Sequence, residues 1–276
     1  MTKALITGST GLLGPYLKDA VLPHWEVLTS SLSGGDLPAD LTDTVQTKNL
    51  IKNANPDLVF HCAAMTNVDD CEVKPQKAQA LNVQTVSNLV SHLPARAKLV
   101  YVSTDQVYPN ISGPHKEGQT NPINVYGKTK LEGEVCALSR AENLVLRVNF
   151  FGASKTPRRQ SLSDWLISNL EDRNPITLFT DSIFSPLHFD TLTQMIVDAV
   201  RNNLTGVFNL GCRAGGSKCD FANAIAVHLG LPLDAAIPGL SKMTAIRAKD
   251  LRMDVSRIEK ALQRSMPTLR EEIARL

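Results

Sequence analysis

A chain of 276 residues, 43% apolar and 20% charged, has the makeup of a globular protein of one large domain or one and a half. Its formal charge of +2 leaves no electrostatic footprint for nucleic acid, and no apolar stretch is long enough to span a bilayer; neither is expected as a partner. The five cysteines (Cys62, Cys71, Cys136, Cys212, Cys219) never form Cys-x-x-Cys and no basic-then-apolar leader precedes them, which argues against disulfides or a metal site and for reduced thiols in the cytoplasm.

Ala4 to Thr7 reads as a strand and Leu12 to Leu22 as a helix, with "GSTGLLG" over residues 8 to 14 between them. Gly8, Gly11 and Gly14 form G-x-x-G-x-x-G, one residue longer than the G-x-G-x-x-G dinucleotide fingerprint but with the same logic. One glycine turns the chain, one lets backbone reach a pyrophosphate, and one packs helix on strand, while the helix N-terminus favours the anion. A second strand, Glu26 to Thr29, runs into Ser30, Ser31, Leu32 and Ser33. Neither the acid that reads an NAD ribose nor the base that suits NADP stands there. The Ser30 hydroxyl either bonds a phosphate or belongs to a plain loop, and the cofactor stays open between NADP(H) and NAD(H), with a lean toward NADP(H).

Thr42 to Asn53 reads as a helix with Thr42 or Asp43 as its cap; Asp40 and Leu41 just before it either border an adenine pocket or belong to a plain helix start. Asp57 to Cys62 is a strand, Pro75 to Leu93 one long helix, and Lys98 to Ser103 and Leu144 to Asn149 two further strands. Strands separated by helices pair in parallel through right-handed crossovers, which predicts a doubly wound α/β sheet. Beyond Asn149 the pattern loosens, through helices at 164–170 and 187–200, a strand at 206–210, and helices at 219–229, 255–262 and 268–276. The expected organisation is α/β: a Rossmann-type dinucleotide-binding domain over 1–152, joined by about 187–210, and a smaller, mixed substrate-binding lobe from 153–186 and 211–276.

Chemistry is suggested by Tyr126-Gly127-Lys128-Thr129-Lys130. On a helix Tyr126 and Lys130 share a face, and an ammonium there lowers a phenol pKa of about 10, so the tyrosine can exchange a proton with a carbonyl or alcohol while hydride moves. Ser103 and Thr104 end a strand about twenty residues upstream, at the sheet edge where open α/β folds bind ligands. The order, glycine loop then Ser-Thr then Tyr-x-x-x-Lys, is far more specific than any one part.

The chain resembles the extended short-chain dehydrogenase/reductase superfamily, and within it the dTDP-4-dehydrorhamnose reductase-like branch. The stretches that carry the likeness are "LITGSTGLLG", "DLTD", "PDLVFHCAAMTNVDDCE", "ALNV", "LVYVSTDQVY", "NPINVYGKTKLEGE" and "LVLRVNFFG". The resemblance implies Thr104, Ser103, Tyr126 and Lys130 as the catalytic set, with Lys130 also on the nicotinamide ribose. It implies Gly8, Gly11, Leu12, Leu13 and Gly14 around the pyrophosphate, Ala63, Ala64 and Thr66 along the cofactor, and Asn82 as a structural or proton-relay asparagine. Thr104, Gln106, Val107 and Asn149 would border the substrate, with Arg247, Arg252, Arg158 and Arg159 as candidates for its diphosphate and His188 as a sugar contact or a structural residue. Sugar-nucleotide dehydratases carry Thr-Asp-Glu where this chain has Thr104-Asp105-Gln106, which disfavours water elimination. The implied activity is NAD(P)H-dependent reduction of a nucleotide-linked 4-keto-6-deoxysugar. An NAD-dependent epimerase and a dinucleotide-binding regulatory subunit like methionine adenosyltransferase β are the alternatives, and a homodimer is left open.

Overall fold

A computed structural model describes residues 2–276; Met1, where the predicted first domain begins, lies outside them. Six parallel strands form the central sheet: β1 (Lys3–Thr7), β2 (Glu26–Ser30), β3 (Leu58–His61), β4 (Lys98–Thr104), β5 (Leu144–Val148) and, after four short strands described below, β10 (Gly206–Leu210). Their spatial order, β10-β5-β4-β3-β1-β2, is doubly wound, with the switch point between β1 and β3. The expected α/β sheet is therefore present, and β2 is its edge. No strand follows β2 before Asp40; residues 31–39 fold back on its tip instead, with Leu37 N donating to Thr29 O at 3.0 Å.

Successive strand residues point to opposite faces, and both faces are covered. From β1, Ala4 and Ile6 pack beneath α1 (Leu13–Val21), whereas Leu5 packs beneath α2 (Thr44–Ala54). The cap of α2 is Asp43, not Thr42: its carboxylate accepts from Val45 N at 2.8 Å and Gln46 N at 3.1 Å, and a carboxylate suits a helix N-terminus. The predicted helix 75–93 is broken into α4 (Pro75–Gln79), a π turn (Ala80–Gln84) and α5 (Thr85–His92), and a short α3 (Val68–Val73) precedes it. The π turn inserts one residue into the ladder and drives Asn82 inward.

Asn124 caps α6 (Val125–Ala137) by accepting from Gly127 N at 2.8 Å. The later chain adds α7 (Leu162–Glu171), α8 (Phe189–Arg201), α9 (Lys218–Leu229), α10 (Ser256–Leu262) and α11 (Leu269–Ile273). Three two-stranded sheets that the sequence did not announce join them: β6 (Phe150–Phe151) with β9 (Leu187–His188), β7 (Ile176–Phe179) with β12 (Ala236–Gly239), and β8 (Ile183–Phe184) with β11 (Gly216–Ser217). A separate core around Phe151, Phe184, Phe221 and Ile273 unites these pieces. Among the described residues, no helix is long and apolar enough to cross a membrane.

Candidate active site

Sterics at the first turn leave little choice of residue. Gly8 has φ +70, and a Cβ there would lie 2.5 Å from Ala63 N; a Cβ on Gly14 would lie 2.2 Å from Ser9 O. Gly11 is tight rather than impossible, its would-be Cβ 3.1 Å from Gly8 O. The loop is thus a cradle that side chains would fill, opening on the N-terminus of α1. Beside it, Ser9 N donates to Ser30 O at 3.1 Å, and Ser30 Oγ is the one buried side-chain polar atom among the described residues without a partner. A backbone cradle that side chains would fill, next to a buried hydroxyl without a protein partner, suits a dinucleotide.

A segment from the later chain straps this cradle. Thr156 Oγ1 donates to Gly11 O at 3.0 Å and Tyr16 OH to Ala153 O at 2.8 Å. The strap places Arg159 on the wall of a cleft of about 500 Å³, whereas Arg158, the other arginine expected at a diphosphate, is not among the residues that line it. Arg159→Gln is expected to weaken dinucleotide binding about tenfold, the effect of one lost charge-assisted bond, in a fluorescence titration. An unchanged affinity would free Arg159 from that role.

The same cleft is lined by Gly8, Gly11, Leu12, Leu13, Gly14, Ala64, Thr66, Thr104, Gln106, Tyr126, Lys130 and Asn149. Several predicted residues stand back from it. Val107 is fully buried in the first core, so it is not a substrate contact. Leu41 is buried in the second, and the Asp40 carboxylate accepts from Thr42 N at 2.9 Å as part of the turn into α2. Ala63 supports Gly8 through its backbone. Asn82 accepts from Met65 N at 2.8 Å and donates to Thr129 Oγ1 at 3.0 Å, pinning the cleft-lining segment after β3 to α6. His188 caps α8 from a buried position, with Asp190 N donating to its Nδ1 at 3.3 Å.

Thr104 at the tip of β4 and Tyr126 on α6 meet across the cleft. Gly127 lets them approach, because a Cβ there would come 2.2 Å from Gln106 O. Ser103 also lines the cleft, but its hydroxyl donates to Glu134, inside a buried network in which Arg147 Nη2 lies 2.7 Å from Glu134 Oε2, so that hydroxyl is already engaged. Sequence reading missed Asp105, which is buried, accepts from Asn149 Nδ2 at 2.6 Å and from Thr104 Oγ1 at 3.2 Å, and is pushed up to about 6 by burial. Its only advance sign is adjacency to Thr104.

The electrostatics differ from expectation. Burial raises the Tyr126 phenol; the Thr104 hydroxyl draws it back in part, Asp105 raises it further, and Lys130 has no resolved influence. Lys130 Nζ instead donates to Val102 O at 2.7 Å and lies 4.0 Å over the Tyr101 ring. Burial pushes that amine down to about 7, against the support of Glu134. Burial therefore favours the protonated phenol at Tyr126.

A lysine with a depressed folded value binds fewer protons folded than unfolded between about 7 and its free value of about 10.4. Its penalty is complete below about 7 and is relieved as pH rises toward 10. Lys130→Met is thus expected to stabilise the fold toward urea by about 1–4 kcal/mol at pH 6, with the gain fading by pH 10. A destabilised variant at pH 6 would contradict this.

Both C-terminal arginines are already paired. Arg252 binds Asp250 through Nη2 and Nε at 2.6 and 3.0 Å, away from the cleft. Arg247 lines the cleft but is held by Asp69 at 2.7 Å.

The family described as RmlD substrate binding domain matches residues 2–276. A probable low-salt glycan biosynthesis reductase, Agl14, of Haloferax volcanii is 28% identical over 99% of this chain and 96% of its own length. The β subunit of methionine adenosyltransferase 2 from Xenopus tropicalis is 40% identical, but over only 53% of this chain and 46% of its own. The crystal structure of dTDP-4-dehydrorhamnose reductase (rfbD) from Bacillus anthracis in complex with NADP superposes with a TM-score of 0.91 at 23% identity, covering 100% of this chain and 98% of that one.

Proposed function

The chain belongs to the RmlD substrate binding domain family, and we propose from that premise that it is an NAD(P)H-dependent reductase of a nucleotide-linked 4-keto-6-deoxysugar. The observation that carries this reading is the placement of Tyr126 and Thr104 on the wall of the same cleft that the glycine loop opens into. A dinucleotide held by that loop through its pyrophosphate would supply the hydride for the keto carbon from its nicotinamide. Gly8, Gly11 and Gly14 admit its pyrophosphate, Arg159 answers the charge, and Ser30 is available to the adenosine side. Thr104 holds the carbonyl oxygen, and Tyr126 gives that oxygen its proton as charge builds on it. Lys130, one helical turn on, is the donor for the nicotinamide ribose. Gln106 lacks a carboxylate, and its amide oxygen accepts from Asn124 Nδ2 at 3.2 Å, so of the two carboxylates that dehydration uses at this point only Asp105 is present.

The test is NADPH and NADH oxidation against dTDP-, GDP-, UDP- and CDP-linked 4-keto-6-deoxysugars; turnover of at least one is expected. A second reading has an observation of its own, the 40% identity to a regulatory β subunit over about half of the chain. Tight dinucleotide binding with no oxidation of any sugar, and co-purification with a larger enzyme, would favour it. Tightly held NAD with no consumption of added NADPH would instead indicate epimerisation.

A further inference from the structure

The cleft contains a cation that the reductase chemistry above does not use. Lys218, the first residue of α9, lines the wall that also holds Arg247. Its backbone is fixed, with Lys218 N donating to Ser182 O at 2.8 Å, so the side chain starts from a rigid point. Arg247 on this wall pairs with Asp69 at 2.7 Å, and no ion pair among the described residues includes Lys218. The opposing charge closest in effect is Asp105, which is already bonded to Asn149 and Thr104. Burial and Arg247 together depress the Lys218 amine, the strain expected of a cation held without a counter-ion. The ammonium also sits on the first turn of α9, where the helix dipole adds positive potential.

A partly buried, unpaired cation in a ligand cleft is stabilised when an anion arrives. The cofactor's own pyrophosphate is served by the glycine loop and the N-terminus of α1. We propose that Lys218 receives the diphosphate of the nucleotide-sugar, an inference that rests on the reductase reading. Arg247, neutralised by Asp69, then shapes the wall rather than carrying the charge. Sequence reading overlooked Lys218 because a lysine after a Ser N-cap looks like an ordinary exposed helix start.

The experiment is calorimetric titration of dTDP, UDP, GDP and CDP into the NADPH-loaded protein, for the wild-type chain, Lys218→Gln and Lys218→Arg. Lys218→Gln should bind the preferred nucleoside diphosphate about 10–100-fold more weakly, as for one lost charge-assisted bond. Lys218→Arg should recover most of the affinity, and an unchanged NADPH Kd for both variants shows that they are folded. With the keto-sugar, KM should rise and kcat should hold. Equal nucleoside diphosphate affinity in wild type and Lys218→Gln overturns the inference while leaving the reductase reading intact. If the wild-type chain binds NADPH but no nucleoside diphosphate, the reductase reading fails first and takes this inference with it.

Discussion

Tyr126→Phe is expected to lower turnover by ~10²–10⁴-fold, the usual range for removing a positioned general acid, while NADPH binds as before. The substitution deletes one hydroxyl and keeps the ring that packs against Val68, Cys71 and Ala245. Burial already holds this phenol in its acid form. Loss of the proton donor therefore acts on the transition state and leaves KM nearly unchanged. Steady-state rates beside a fluorescence Kd for NADPH decide it; full turnover in the phenylalanine variant would remove Tyr126 from the mechanism.

Glu134→Ala is expected to cost about 3–5 kcal/mol of stability, against a total of roughly 5–15 for a typical domain. Its carboxylate is 2% exposed and takes both Arg147 Nη2 at 2.7 Å and Nε at 2.9 Å, with the Ser103 hydroxyl as a third donor. Removing it strands the Arg147 guanidinium under the sheet. Arg147 keeps Glu117 O at 2.6 Å and the Tyr108 hydroxyl at 3.0 Å, but neither carries charge. The urea midpoint should fall steeply, and the double variant Glu134→Ala with Arg147→Met should recover much of it. If the single variant were as stable as the parent, the pair would not be the brace that it looks to be. Glu134 also supports the charged form of Lys130, one turn earlier on α6, so this brace reaches the active cleft.

What the sequence made legible was local. The glycine loop, the Thr104 tip and the Tyr126–Lys130 pair each lie within a few residues, and backbone geometry alone sets their relations. The six-stranded sheet followed from alternating runs for the same reason. What stayed hidden was set by partners far along the chain. Arg247 looked free for a ligand, yet it pairs with Asp69, 178 residues earlier. Ser103 and Thr104 looked equivalent, and both line the cleft, but the Ser103 hydroxyl is spent on the Glu134–Arg147 network while the Thr104 hydroxyl bonds Asp105. The expected effect of Lys130 on Tyr126 rested on helical spacing, which says which face two residues share and not where a long side chain ends. Here it ends on Val102 O. The fold-back of residues 31–39, in which Thr29 Oγ1 donates to Asp36 Oδ2 at 2.7 Å, left no motif because its closing residues lie in an irregular loop.

The central claim is that a proton from one phenol and a hydride from a nicotinamide meet at a single carbonyl in this cleft. A single turnover of the wild-type chain with NADPH deuterated at the transferring position of C4, followed by mass analysis of the sugar, tests it directly. Deuterium should appear at the former keto carbon, one per NADPH oxidised. A product whose new C–H hydrogen comes from solvent, or a sugar returned unreduced with NADPH intact, would contradict it.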